Sequence, residues 1–484
     1  MFSSSRETVH LSVPLAILLV VLLFPGSGQA QFGGGMGAGG MGGGGLGGGL
    51  GGGLGGFGGR GNQGLGGAGG ILISPEGVVS LRRERPLSAT ALKKQVSKFA
   101  EERLPANLVV ESAQRILSLK NLESLIAPHV AAKTDLPLEV LCLGGMQRVD
   151  LVIFDPEERD VYLAGPAEAF GPDSLGRLVG VKTGRPPLLL EDLLSALRSI
   201  RDGEATLGCS IDPTPENMKA LQEFLRMNST PASTAQVQQR FRTMANVLGD
   251  QEISIWGVPR DSHFAQALVE ADIRMKRISL GLDPAGVSGI RSHLSMLRPQ
   301  GNSLQRWWFV PMYDPLETNA DRTVFKLSGQ RAKLLSQEEV SDAGGQRTDA
   351  LQTRQSTEKF AQLFTENFQK LADASVPFAE LQNLYDMAVV SALIRTEGQR
   401  HLGGDPFPLL MSEMDLPLPK YVVPKTIPSS STFRAAGPGT ILGLVGGVTM
   451  DMGPLLRHPH VTTEVALKNY REAVPQAALF GDLK

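Results

Sequence analysis

The chain has 484 residues, 42% of them hydrophobic and 20% charged, with 47 Lys and Arg against 49 Asp and Glu, a net charge of −2. That balance supplies no basic surplus for nucleic acid and no acidic block of the kind that solvates a tail. Two cysteines exclude a disulfide-dense scaffold and a zinc site built from four thiolates, and the length allows two or three domains with a sizeable core.

Residues 11–24, LSVPLAILLVVLLF, form an almost unbroken apolar run preceded by Arg6 and Glu7. As a helix the run spans about 21 Å, short of the roughly 30 Å hydrocarbon core of a bilayer. It reads as a signal-peptide h-region over residues 1–30. Pro25 ends the helix, and small Gly28 and Ala30 place cleavage between Ala30 and Gln31. An uncleaved anchor is the alternative. No Cys follows the cleavage point to carry a lipid, and no later stretch reaches the roughly 18 apolar residues of a membrane span. The expected location is therefore exported: periplasmic, cell-envelope or extracellular.

Residues 33–70 hold 26 glycines in 38 positions, with single apolar residues spaced between them. Glycine has the most backbone entropy to lose, and isolated side chains bury too little to offset it, so residues 31–86 are expected to be a disordered spacer and lead-in. The r.m.s. span of the glycine segment is roughly 35 Å. It is either an inert linker or a sticky segment that self-associates or binds an envelope polymer.

From Leu87 the pattern becomes globular. Ser88 is placed to cap a helix that runs to about Leu104, where Pro105 stops it. Residues 107–117 are ambiguous, and Ser118 precedes a helix with Leu119, Leu122, Leu125 and Ile126 at helical spacing. Short apolar runs at 138–143, 148–154 and 159–164, separated by Gly144-Gly145 and by Asp155-Pro156-Glu157-Glu158, read as an antiparallel three-stranded meander. Helices follow at about 190–200 and 215–227, the second capped by Thr214 ahead of Pro215, with a strand at 207–211 between them.

A helix at about 234–248 leads into a strand at 252–258, and Asp261 or Ser262 starts the next helix. Residues 278–282 suit a strand and 285–297 a further helix. The alternation implies an α/β layer with some parallel pairing. An antiparallel set is expected at 304–312, 323–327 and 331–335, the last two joined through Ser328-Gly329-Gln330. Two long helices with stripes Phe360–Leu371 and Leu381–Leu393 then make an antiparallel hairpin, with Pro377 in the first turn of the second. Residues 401–439 read as a Pro-rich extended arm. A strand-like run at 440–451 and a polar helical tail at 462–474 either pack back on the core or stand apart.

Chemistry is sparse at the level of motifs. The acids Asp155, Glu157, Glu158 and Asp160 cluster at a tight turn, where Asp-Pro is a turn device. None of the seven histidines forms an HExxH or an i, i+4 helical pair, and there is no GxSxG elbow, P-loop or strand-preceded GxGxxG. No cofactor, metal site or catalytic residue is assigned. Cys142 and Cys209, both in expected strands, are either a disulfide or two separate buried thiols. Trp307 and Trp308 are adjacent in a strand that runs on to Tyr313, so one indole faces the core and the other faces out or toward a second layer. The three aromatics are core packing or, alternatively, a platform for a sugar or a peptide.

The strings VYLAGPAEAF (161–170), GRPPLLLEDLLSALR (184–198), GCSIDPTPE (208–216), LVEADIRMKRISLGL (268–282) and WWFVP (307–311) together resemble a family of uncharacterised exported planctomycetal proteins that share a domain of unknown function. The resemblance covers about residues 85–400. It implies export and a mixed α/β fold, and no assigned reaction or catalytic residue comes with it.

The expectation is a mixed α/β protein with two packed subdomains, 87–205 with the meander and 206–400 with the alternating layer and helix hairpin, followed by the arm (401–439) and the C-terminal strand and tail (440–484). Its function is expected to be non-enzymatic binding or structure at the cell envelope, with an envelope protein or cell-surface polymer as partner. The alternative is a secreted hydrolase acting on an envelope polysaccharide or peptide through dispersed acids.

Overall fold

The computed structural model describes residues 70–73, 79–82, 89–201, 206–228, 230, 234–296, 303–341, 347–349, 352–404, 406–429, 442–457, 459–462 and 479–482. The signal segment, most of the glycine-rich lead, Ser88 and most of the 462–474 tail lie outside the described residues. The fold is mixed α/β, with mostly antiparallel sheets and none closed into a barrel.

One seven-stranded sheet has the order His460–Val461, Glu317–Thr318, Val324–Lys326, Leu151–Asp155, Asp160–Ala167, Ser112–Ser118 and Phe480–Asp482. The other has the order Arg347–Asp349, Arg331–Ser341, Ser303–Met312, Leu442–Asp451, Thr206–Pro213, Asp250–Trp256 and Thr426–Pro428. Helix Val376–Leu402 packs on strand Leu151–Asp155 of the first sheet and on Arg331–Ser341 of the second. It is buried on nearly every side, and polar residues such as Gln382, Asn383 and Asp386 are buried with its apolar ones. Gly403, with φ 69°, ends it in the left-handed conformation that glycine adopts without strain. Among the described residues no helix is long and apolar enough to cross a membrane.

The local chemistry that starts these elements follows the sequence closely. The side chains of Ser118, Thr214 and Ser262 accept from Asn121 N (3.0 Å), Asn217 N (3.2 Å) and Ala265 N (3.2 Å), capping helices Leu119–Ala132, Pro215–Met227 and His263–Ser279. Asp155 Oδ1 accepts from Glu157 N (3.0 Å) and Glu158 N (3.1 Å), closing the turn between Leu151–Asp155 and Asp160–Ala167. Asp160 accepts from Ser118 Oγ and from Lys120 N and Val161 N. The acids of this turn are structural acceptors.

Several expectations are corrected. The run 138–143 is a helical turn, Leu138–Leu141, started by Pro137 and followed by a 3-10 turn at Leu143–Gly145. A short apolar run looks the same in a buried helix and a buried strand. The hairpin's third partner is instead Ser112–Ser118, from the ambiguous segment. Residues 278–282 hold no strand: Ile278 and Ser279 finish helix His263–Ser279, and Gly281 (φ 68°) turns the chain. Only His293–Met296 is helical in the described part of 285–297, where Gly286 and Gly289 have positive φ.

Strands Val324–Lys326 and Arg331–Ser341 do not pair with each other. The first joins Leu151–Asp155 and the second Ser303–Met312, so the chain crosses between sheets at 327–330. The parallel pairing in the second sheet comes from Leu442–Asp451 beside Ser303–Met312, and the helix-connected strands Thr206–Pro213 and Asp250–Trp256 are antiparallel. The Pro-rich arm is extended beyond the turn Pro408–Met411. It packs on the core through buried Leu416 and Val423 and adds Thr426–Pro428 to the sheet edge.

A buried ion network ties these layers together. Asp386 of the long helix is fully buried and accepts from Val149 N (2.8 Å), Tyr313 Oη (2.7 Å) and Arg331 Nε (3.1 Å), while Arg331 Nη2 donates to Val149 O (2.9 Å). One carboxylate thereby fixes the helix against segments from both sheets.

A candidate ligand cleft between three helix starts

The starts of three helices meet at one cleft of about 1150 Å³. Helix Leu190–Ser199 carries Glu191 and Asp192 in its first turn, where the positive end of the helix dipole favours acids. His263 is the first residue of His263–Ser279, with Gln266 and Glu270 following toward the cleft. Helix Val376–Leu402 contributes Glu380 and Asn383, three residues apart and so on one face. The arm from Met414 to Tyr421 supplies the opposite wall, and Leu178, Leu190 and Leu416 make part of the lining apolar.

The floor is a set of charged groups in contact. Nδ1 of His263 lies 3.0 Å from each carboxylate oxygen of Asp192, and Nε2 has no partner among the described residues. Burial opposes charge on this imidazole, but Asp192, with Glu380 and Glu191 beyond it, wins and holds its pKa at about 10. His263 is therefore an imidazolium at neutral pH, with its second N–H unspent. Tyr421 packs edge-on against that ring, centroids 5.5 Å apart, and its hydroxyl donates to Glu191 Oε1 at 2.7 Å. Burial pushes Glu191 up, Asp192 adds to this, and His263 and the Tyr421 hydrogen bond oppose it.

Arg177 reaches Asp173 and Glu270, each at 3.4 Å. Glu380 has no hydrogen bond or ion pair among the described residues. Burial pushes its pKa up to about 7, with Glu270 and Asp192 adding to the effect against His263 and Arg177. Asn383 is 4% exposed and donates from Nδ2 to the carbonyls of Pro186 (3.2 Å) and Pro187 (3.3 Å), while its Oδ1 has no donor. Two carbonyl partners fix the orientation of that amide.

A cleft that holds a carboxyl titrating near neutrality beside an oriented imidazolium has the composition of a binding or acid–base site. Among the described residues no group of three or more His, Cys, Asp or Glu is placed to hold a metal ion.

The aromatics singled out in the sequence lie elsewhere. Trp307 is fully buried, its Nε1 donates to Thr357 O at 3.3 Å, and its ring meets His293 and Phe360 edge-on, centroids 4.9 and 5.0 Å away. It is core, which corrects its reading as a ligand platform. Trp308 points to the other face of the strand, half-buried, with the Arg306 guanidinium 4.7 Å from its ring centroid. Tyr313 is held in the Asp386–Arg331 network. None of these three aromatics lines the cleft; of the residues singled out in the sequence Cys142 alone does.

Of the two alternatives for Cys142 and Cys209, a disulfide or separate buried thiols, the structure has the second: both are free and buried. Cys142 sits with Ala100, Leu104, Ala169 and Phe170, and Cys209 sits in the main core under the second sheet. Burial pushes both thiols well up, Glu191 contributing at Cys142 and Asp272 at Cys209, so neither has thiolate character.

Sequence reasoning missed Glu191, Asp192, His263, Glu380 and Tyr421. An available signal was the polar set Glu380, Gln382, Asn383 and Asp386 among the apolar residues of the first half of this helix, where an unpaired carboxylate is expensive. No curated protein and no solved structure matches the chain. Residues 209–293, which include His263 and Glu270 but not Asp192, Glu380 or Tyr421, match a protein-family model described as a protein of unknown function, DUF1598.

Proposed function

We propose that this is an exported protein of the cell envelope that binds a ligand in the cleft between the three helix starts. The observation that carries the binding role is Glu380, a half-buried carboxyl with no partner among the described residues, in a cleft whose walls are partly apolar. Buried polar groups are normally satisfied, and those left open in a cavity are satisfied by what enters it. A volume of about 1150 Å³ suits a short peptide or an oligosaccharide rather than a small metabolite.

Export rests on residues 1–30 and on the resemblance to exported planctomycetal proteins, with cleavage between Ala30 and Gln31. Amino-terminal sequencing of the native protein is expected to begin at Gln31, and an intact Met1 contradicts export by cleavage.

The binding role is tested by thermal shift of the full chain against defined panels of short peptides and cell-wall oligosaccharides. Gln266→Trp fills the cleft from a half-buried position without emptying the core. The reading requires a ligand that raises the Tm of the wild type and not of Gln266→Trp. A rise in both, or in neither, contradicts it.

A second reading, hydrolysis of such a ligand, is favoured by Glu380 and His263 being a proton-holding carboxyl and a proton donor in one cleft. Under that reading Glu380→Gln keeps binding and loses turnover.

A further inference from the structure

We propose that the cleft recognises a primary ammonium group carried on an apolar body. The inference rests on the binding role above and names the chemistry of the ligand.

Two open groups on the floor matter for a ligand: the Glu380 carboxyl, an acceptor, and the Nε2–H of His263, a donor. Asn383 Oδ1, its amide hydrogens given to Pro186 and Pro187, is unpartnered but closed off behind the lining, so the acceptors that face the cleft are the carboxyl oxygens of Glu380. What completes them is a donor with several N–H groups, and an ammonium has three.

The charges point the same way. Four carboxyl groups line the floor, Glu191, Asp192, Glu270 and Glu380, against two cations. Both cations are engaged: Arg177 with Asp173 and Glu270, and His263 with Asp192. Lys133 also lines the cleft but is exposed at its rim. An incoming carboxylate or phosphate would face Glu380 and Glu191 and find one open donor, the Nε2–H of a His263 already paired with Asp192. An incoming ammonium restores the balance, and its hydrocarbon part meets Leu178, Leu190 and Leu416.

Two sources share this chemistry, a simple alkylamine and the amino terminus of an apolar peptide. They differ in that the peptide carries a carbonyl beside its ammonium. That carbonyl can accept from Nε2–H of His263, the one unspent donor of the imidazolium.

The test is calorimetric titration of the full chain with hexylamine, hexanol, trileucine and N-acetyl-trileucine, both peptides as C-terminal carboxamides so that the acetylated one is uncharged. Hexylamine or trileucine should bind about tenfold or more tighter than its uncharged counterpart, and Glu380→Gln should erase that difference. Trileucine tighter than hexylamine assigns the peptide source, and the reverse assigns the alkylamine. Glu380→Gln removes an unpaired, half-buried carboxyl and adds no volume, so it is expected to fold, and its Tm is measured alongside. Equal binding of charged and uncharged probes, lost in Gln266→Trp, overturns the ammonium inference and leaves the binding role standing. A preference for the ammonium that survives in Glu380→Gln overturns it too. Absence of binding by every probe, with a ligand found in the peptide and oligosaccharide panels, overturns the inference alone; absence in both overturns both.

Discussion

Both carboxylate oxygens of Asp192 lie 3.0 Å from Nδ1 of His263, across 71 residues of chain. The pair welds the start of helix Leu190–Ser199 to the start of His263–Ser279 and keeps the imidazole charged. Asp192→Asn removes the charge and keeps the shape. The His263 midpoint, about 10 in the wild type, should fall by about 1–3 pH units in a proton NMR titration. An unchanged midpoint would mean that Asp192 does not hold the proton.

The same pair sets a pH dependence of stability. His263 has a folded pKa of about 10, above its ordinary 6.5, so its contribution is full below pH 6.5 and is lost as pH rises toward 10. His293, buried against Trp307 beneath the second sheet, behaves oppositely. Burial first, and Arg354 second, lower it to about 3, so its contribution is present above pH 6.5 and is lost as pH falls. Urea unfolding between pH 6.5 and 10 should show stability declining, by at most about 1.4 kcal/mol per pH unit from this one group. His263→Gln should flatten the decline, and a slope unchanged in that variant contradicts the assignment.

Asp386 is the fully buried hub of the inter-sheet network. Asp386→Ala strands Arg331 and the Tyr313 hydroxyl away from water, and should cost about 3–5 kcal/mol in chemical denaturation. A loss below about 1 kcal/mol would mean the network is not closed as described.

The adjacent indoles should separate cleanly. Trp307→Ala opens the core beneath His293 and Phe360 and should cost about 3–5 kcal/mol. Trp308→Ala removes a half-buried ring and one cation–π contact, a loss of about 1 kcal/mol. Equal losses would place both rings in the core.

Thiol chemistry gives a further check. Neither cysteine should react with Ellman's reagent in the native protein, both should react after denaturation, and reductant should leave the Tm unchanged. A fall in Tm with reductant would restore the disulfide.

What was legible in the sequence was local. Ser118, Thr214 and Ser262 cap helices because a hydroxyl can bond a backbone N–H three residues on, which adjacent residues decide alone. The turn at Asp155 is legible for the same reason. What was not legible depends on partners far along the chain. Leu138–Leu141 is a helical turn although its apolar run suits a strand, and Leu442–Asp451 lies inside a sheet between Ser303–Met312 and Thr206–Pro213, which both precede it by over a hundred residues. The site failed for the same reason. A search for histidine pairs within one helix cannot find His263 with Asp192 at 71 residues' separation, or Tyr421 with Glu191 at 230. Glu380 was hidden among Leu381 and Leu384, in a stripe that read as core, and these two leucines are indeed fully buried.

The account turns on Glu380 being a half-buried carboxyl left without a partner until a ligand supplies one. Carbon-13 NMR titration of the glutamate carboxyls, with Glu380→Gln to assign the resonance, measures this directly in the ligand-free protein. A midpoint near 7 is predicted, and one at the ordinary 4.5 would contradict it, because the carboxyl would then already be solvated or paired.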